Sequence, residues 1–269
     1  MKIGLVGCGN MGSALVEGIK KTYKSKIEIF AYDIDSKKLE GLVARCNVVK
    51  ANGEKEIAEK CDIMILAVKP ADIESVVKKI SEKDSEDKII VSIAAGIRVS
   101  LFRKYFAKSL IARVMPNIAF LAGEGVSAIY FDGNFSEEQK KSIMDIFNSC
   151  GISEEIRKED LLDTVTGLSG SGPAFAFVFM NALSDAGVME GLPRETARRL
   201  AIQTVKGAAT LAEVSLKENI HLEELKDRVT SPAGTTAEGL MILEEGNFRA
   251  LVIKAVRGAV KRAKELGLK

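Results

Sequence analysis

The chain has 269 residues, 46% of them hydrophobic and 28% charged, with a formal net charge of +2. This composition is ordinary for a globular protein of one large domain or two smaller ones, and the near-neutral charge gives no basic surface for nucleic acid or anionic lipid. The single histidine, His221, argues against Ser-His-Asp hydrolysis and against a zinc site of the His/Cys type, while four separated cysteines (Cys8, Cys46, Cys61 and Cys150) read as reduced thiols of a cytoplasmic protein.

The chain opens on a strand-like run, Lys2 to Val6, with no long apolar leader before it. KIGLVG ends in glycine, as a buried parallel strand does. Asn10 to about Lys21 places Met11, Leu15 and Ile19 at helical spacing. IEIFAY then predicts a strand, DSKKLEGLVAR a helix, VVK a short extended run, and a charged helical piece follows. CDIMILAV is apolar and β-rich. Pro70 opens the helix ADIESVVKKI, and KIIVSIAAG, SLIARVM and VSAIYF complete the strands. Strands alternating with helices of this length predict an α/β fold with a parallel sheet covered on both faces, the doubly wound Rossmann-type arrangement.

After Glu159 no strand is expected. AFAFVFMNALSDAG, PRETARRLAIQTVKGAATLAEV, HLEELKDRV, AEGLMILEEG and FRALVIKAVRGAVKRAKELG all read as helices. The second carries an apolar stripe of Leu200, Thr204, Val205, Ala208, Leu211 and Ala212, and the last a face of Leu251, Ala255, Val256, Ala259 and Ala263. The most apolar segment, around Ala174 to Leu183, is about half the ~20 residues needed to span a bilayer. The organisation is therefore a mostly parallel Rossmann-type domain over 1–158, then an all-α domain over 159–269.

Gly7-Cys8-Gly9-Asn10-Met11-Gly12 is a GxGxxG motif between the first strand and the first helix. In a dinucleotide site Gly7 permits the tight turn, Gly9 admits the pyrophosphate to the backbone, and Gly12 lets helix and strand pack closely. The phosphates then meet free N–H groups at a helix start. Glycines alone would also make a plain strand-to-helix turn. Asp33 decides for the nucleotide: it stands at the end of the second strand, about 20 residues on, where a carboxylate accepts from a ribose 2′-OH. The same charge repels a 2′-phosphate, so the cofactor expected is NADH rather than NADPH, with Lys37 and Lys38 as a partial offset. Ala67-Val68-Lys69-Pro70 and Ala94-Ala95-Gly96 end two further strands, where ligands of such sheets lie; the small residues of the second leave room for a nicotinamide ring. Lys69 also reads as a solvated lysine at a helix start.

Two glycine-rich stretches stand out in the C-terminal half. Gly167-Leu168-Ser169-Gly170-Ser171-Gly172-Pro173 heads an apolar helix, where close helix packing would also explain it. Thr230-Ser231-Pro232-Ala233-Gly234-Thr235-Thr236 precedes another helix, and its hydroxyls and unpaired N–H groups form a ready carboxylate site. An ordinary N-cap needs only one of those hydroxyls.

Taken together, GLVGCGNMG, ILAVKP, SIAAG, RVMPN, VTGLSGSGPAF and LKDRVTSPAGTTAEGL resemble, in that order, the motifs of pyrroline-5-carboxylate reductases, from Lys2 to about Leu266. The resemblance implies reduction of a cyclic imine to L-proline with NADPH or NADH, the last step of proline biosynthesis. It implies a dimerisation role for the helical domain, in an interleaved homodimer that such proteins extend as far as a decamer. Carried over by residue, the substrate loop is Val229, Ser231, Gly234, Thr235 and Thr236, with the Thr236 hydroxyl near the ring nitrogen. Glu159 falls at a family position near cofactor and substrate, and Asn52 at one near the adenosine. Asp33 departs from the small or basic residue usual in members that favour NADP. A β-hydroxyacid or ketopantoate-type dehydrogenase would share the domain plan but rely on a helical lysine of the second domain. An NAD(H) sensor would keep GxGxxG without a carboxylate-shaped loop. No metal is expected.

Overall fold

The computed structural model describes residues 1–81 and 88–267. These form two compact units, one of Met1–Ser171 with Gly258–Lys269, the other of Gly172–Arg257. The first is built on a sheet of eight strands among the described residues: β1 (Lys2–Val6), β2 (Glu28–Tyr32), β3 (Val49–Lys50), β4 (Ile63–Leu66), β5 (Ile89–Ser92), β6 (Leu110–Pro116), β7 (Gly125–Asp132) and β8 (Gly151–Glu155). Their spatial order is β3-β2-β1-β4-β5-β6-β7-β8. All neighbours are parallel except β6 and β7, so the sheet is mostly parallel, as the sequence predicts.

Helices cover both faces: α1 (Asn10–Tyr23), α2 (Ser36–Cys46), α3 (Glu54–Lys60), α4 (Ile73–Ser81), α5 (Val99–Arg103) and α6 (Glu137–Asn148), followed by α7 (Leu161–Val165). Successive residues of a strand point to opposite faces, so each buried strand feeds two cores. Ile3, Leu5, Ile63, Ile65 and Val91 join Leu15 and Ile19 of α1 and Phe147 of α6 on one side. Val6, Met64, Leu66 and Ile90 join Ile57 of α3, Val77 of α4 and Phe102 of α5 on the other. Each such fully buried aliphatic side chain contributes about 1.5–3 kcal/mol of hydrophobic stabilisation. Two elements fall outside the sequence reading. The last strand, β8, buries only Ser153, as an exposed edge strand can. The helix before it, α6, is started by a capping box between Ser136 and Gln139.

The second unit is helical: α8 (Gly172–Met189), α9 (Arg194–Leu216), α10 (Leu222–Arg228), α11 (Thr235–Glu245) and the start of α12 (Phe248–Gly267). Within it α8 meets α9 closely, since a Cβ on Gly187 would lie 3.2 Å from that of Ala197. Phe179 and Phe248 meet in a tilted pair, their centroids 6.0 Å apart and their planes at 42°. Large apolar side chains nevertheless remain outward, among them Phe177, Val178, Leu211, Ile242 and Ile253, with Val178 70% exposed. An apolar surface of this extent marks an association surface. No described helix is long and apolar enough to cross a membrane.

Candidate active site

The strand order reverses between β1 and β4, and a crevice beyond their carboxyl ends is where a doubly wound sheet binds ligand. The glycine-rich turn fills one side of it. Gly7 has φ of +102°, and a Cβ there would sit 2.7 Å from the carbonyl of Ala67. A Cβ on Gly12 would lie 2.2 Å from the Gly7 oxygen. Neither position can hold a larger residue without moving backbone. Gly9 is the reverse case: a Cβ on it would meet no atom within 4 Å, and as N-cap of α1 it provides no side-chain oxygen to the first turn. The N–H groups opening α1 thus keep their capacity for an anion.

Asp33, one residue past β2, is held by two main-chain donors. Cys8 N–H donates to its Oδ2 at 2.6 Å and Asp35 N–H to its Oδ1 at 2.8 Å. A carboxylate has about four acceptor positions, so two remain for ribose hydroxyls. The Cys8 thiol is pushed up to about 12, by burial first and then by the Asp33 charge, and stays protonated. Ile34, 92% exposed, follows Asp33. Both line a cavity of about 180 Å³ with Tyr32, Glu54, Val68 and Lys79. Lys79 donates to Glu54 at 2.9 Å there. Lys37 and Lys38 line a second cavity, of about 330 Å³, with Gly9, Asn10, Ser13 and Arg45. Lys38 is paired to Asp35 at 3.4 Å, the residue that also caps α2.

The other strand ends come to the same edge. Ala67 N–H bonds the Val6 carbonyl at 2.8 Å. Lys69 caps the short turn Pro70–Asp72 through its backbone carbonyl, and its side chain is exposed. Ala94 is buried, Ala95 exposed, and Gly96 turns with φ of +77°. Asn52 follows edge strand β3, but both its backbone N–H and its amide nitrogen donate to Glu56 Oε2, at 2.8 and 2.7 Å. That contact and a bond from Lys60 hold the Glu56 carboxyl near 2.

Glu159 reaches back to the sheet. Its Oε1 accepts from Arg113 Nη1 at 2.6 Å and from Val99 N–H at 2.7 Å. Downstream, Thr166–Gly170 is wound as a π-helix, a form common at functional sites. Its hydroxyls turn inward: Thr166 bonds the Leu162 carbonyl, and Ser169 that of Val165. Asn117 of the RVMPN run donates to the Ser169 carbonyl at 3.2 Å.

In the helical unit, Gly234 is the N-cap of α11 and no side chain caps that helix. Thr230 is committed to the Lys226 carbonyl at 2.7 Å. The hydroxyls of Ser231, Thr235 and Thr236 are therefore not spent on capping; a Cβ on Gly234 would fall 2.2 Å from Ser231 Oγ. Val229 is exposed beside them. Ala233 adopts φ of +54°, a left-handed conformation that costs a non-glycine residue about 1–2 kcal/mol. Strain of this kind gathers at ligand sites.

Sequence reading missed Arg113, Ile34, Glu54 and Lys79. Ile34 had a usable signal, an apolar residue directly after the strand-end carboxylate. Arg113 heads the RVMPN motif and interrupts an apolar strand run, but its partner lies far along the chain, so its role had no local signal.

Comparison with known proteins adds a second line. Residues 159–266 match the family described as pyrroline-5-carboxylate reductase dimerisation, and residues 2–96 match NADP oxidoreductase, coenzyme F420-dependent. A pyrroline-5-carboxylate reductase of Methanosarcina acetivorans is 42% identical over 100% of this chain and 98% of its own. One of Aquifex aeolicus is 38% identical over 99% and 97%. The chain belongs to the pyrroline-5-carboxylate reductase family. A solved member from Coxiella burnetii superposes with a TM-score of 0.89 at 33% identity, covering 98% of this chain and 97% of that one. Another, from Plasmodium falciparum with NADP bound, gives 0.84 at 36% identity over 99% and 98%. This reductase is accordingly a nicotinamide-dependent oxidoreductase whose C-terminal part is a dimerisation domain.

Proposed function

We propose that the protein reduces L-1-pyrroline-5-carboxylate to L-proline, the last step of proline biosynthesis, in the cytoplasm. The observation that carries the substrate assignment is the uncapped start of α11, where Ser231, Thr235 and Thr236 leave their hydroxyls uncommitted beside free N–H groups. That arrangement fits a carboxylate. Residues 1–158 serve the cofactor and 159–269 the substrate and the dimer.

When bound, the cofactor would supply a hydride to the carbon of the C=N bond, and the ring nitrogen would keep its proton as an amine. A protonated imine is already electrophilic, so the protein's task is placement more than acid catalysis. Gly7, Cys8, Gly9, Asn10, Met11 and Gly12 receive the pyrophosphate. Asp33 orders the adenosine ribose, with Asn52 near it through the amide oxygen that Glu56 leaves free. Ala67 to Pro70 and Ala94 to Gly96 flank the nicotinamide end. Val229, Ser231, Gly234 and Thr235 hold the carboxylate, Thr236 hydrogen-bonds the ring nitrogen, and Glu159 stands close to both ligands.

Asp33 supports NADH over NADPH, because its charge opposes a 2′-phosphate. The outward apolar side chains of α8, α9, α11 and α12 support an interleaved homodimer, extended in a decamer; sedimentation at micromolar concentration reads that state. The deciding experiment is oxidation of NADH, and separately NADPH, by the purified protein with pyrroline-5-carboxylate. Rapid loss of NADH with slower loss of NADPH is expected. Consumption of neither would overturn the reaction.

A further inference from the structure

We infer that Arg113 is a positioning residue for the nicotinamide end of the cofactor, acting through Glu159 and the N–H of Val99. Arg113 sits in the middle of β6, paired in register with Ser92 of β5 and Tyr130 of β7. Its neighbour Ile111 on the same face belongs to the apolar core beneath α3, α4 and α5. An arginine side chain only 7% exposed in such a place is costly unless its charge is matched. Glu159 matches it at 2.6 Å, and the same oxygen receives Val99 N–H at 2.7 Å.

Val99 is the first residue of α5 and lies three positions after Gly96, the last residue of the Ala94-Ala95-Gly96 turn. Arg98, immediately before it, is itself bonded to Asp160 and Asp163. Two successive residues after the turn are therefore tied to the segment 159–163, one through main chain and one through side chain. The main-chain tie rests on a carboxylate whose buried counter-charge is Arg113. A strand-borne ion pair thus fixes the trailing end of the turn assigned to the nicotinamide. The inference rests on that assignment.

The test compares dissociation constants of NADH and of ADP-ribose, which lacks the nicotinamide, in wild type, Arg113→Met, Arg113→Lys and Val99→Pro. Val99→Pro removes the N–H and trims a core side chain while keeping the backbone: the position is the first of a helix, where proline is favoured, and Arg98 before it has φ of −86° and ψ of 155°, as a residue preceding proline requires. Arg113→Met and Val99→Pro should weaken NADH about tenfold, or about 1.4 kcal/mol, with ADP-ribose binding unchanged. Arg113→Lys should recover part of the loss. Misplacement of the reacting carbon should lower kcat by about 100-fold, with KM for the imine unchanged. Parallel weakening of both ligands, or no change in Val99→Pro, would overturn the inference. NADH-specific weakening in the variants together with no imine turnover by the wild type would instead overturn the proposed reaction and leave the positioning role standing.

Discussion

The carboxylate of Asp33 and the backbone N–H of Cys8 meet at 2.6 Å, joining the end of β2 to the middle of the glycine-rich turn. The residue expected to read the ribose therefore also holds the shape of the pyrophosphate cradle. Asp33→Ser should do two things at once. It should lower kcat/KM with NADH about tenfold or more, the scale of losing a hydrogen bond to a charged group. It should also raise the NADPH to NADH ratio, because the repelling charge is gone. Steady-state rates with both cofactors check this; an unchanged ratio would remove Asp33 from cofactor choice.

Thr236 opens α11 beside the uncapped Gly234. Thr236→Ala should lower kcat about 10- to 100-fold, the range for losing one positioned polar group at a reacting atom. NADH affinity, read by its fluorescence on binding, should hold. Thr236→Ser should restore most of the rate. Wild-type turnover in the alanine variant would take the hydroxyl out of the reaction.

Ala233 holds its left-handed backbone at an exposed position. Ala233→Gly should relieve more strain than it adds in unfolded-chain entropy, a net gain of about 0.5–1 kcal/mol. Thermal unfolding reads this as a raised Tm; a lowered Tm would mean the strain is illusory.

Burial pushes the Cys8 and Cys61 thiols from the ordinary 9.0 up to about 12, and raises those of Cys46 and Cys150 as well. A raised folded-state value favours the fold while the thiol is protonated. That contribution is whole below pH 9.0 and is lost as pH climbs from there toward about 12. Thiolate absorbance of the native protein at pH 9.0 should be well under half of that in denaturant, and urea midpoints should fall above that pH. Equal absorbance in the two states would contradict the buried placement.

What could be read from sequence was what is local. The GxGxxG turn lies wholly within six residues, its demands on Gly7 and Gly12 are steric, and the flanking strand and helix announce it. The Thr230–Thr236 loop is similarly self-contained. By contrast β8 offers no apolar run, because an edge strand facing solvent needs none. The capping box of Ser136 and Gln139 and the spacing of Ile143, Ile146 and Phe147 are local signals for α6 that the sequence reading left unused. Arg113 and Glu159 meet across 46 positions of chain, so no window of sequence contains the pair. Asn52 falls near the adenosine by resemblance, and the bond of its amide nitrogen to Glu56 was not legible in sequence. The second role of Asp33, as a main-chain acceptor, likewise needed coordinates.

One helix, α12, is shared between the two compact units: residues up to Arg257 go with the helices, and those from Gly258 return to the sheet. Its last turns bury Ala263, and Gly267 comes within 3.7 Å of where a Cβ on Gly96 would lie. The sheet unit is therefore discontinuous in the gene. A fragment stopped at Ser171 would lack a piece of its own fold beside the Gly96 turn, so cofactor binding by an isolated sheet unit calls for a circularly permuted or linker-joined chain that restores the final ten residues of α12.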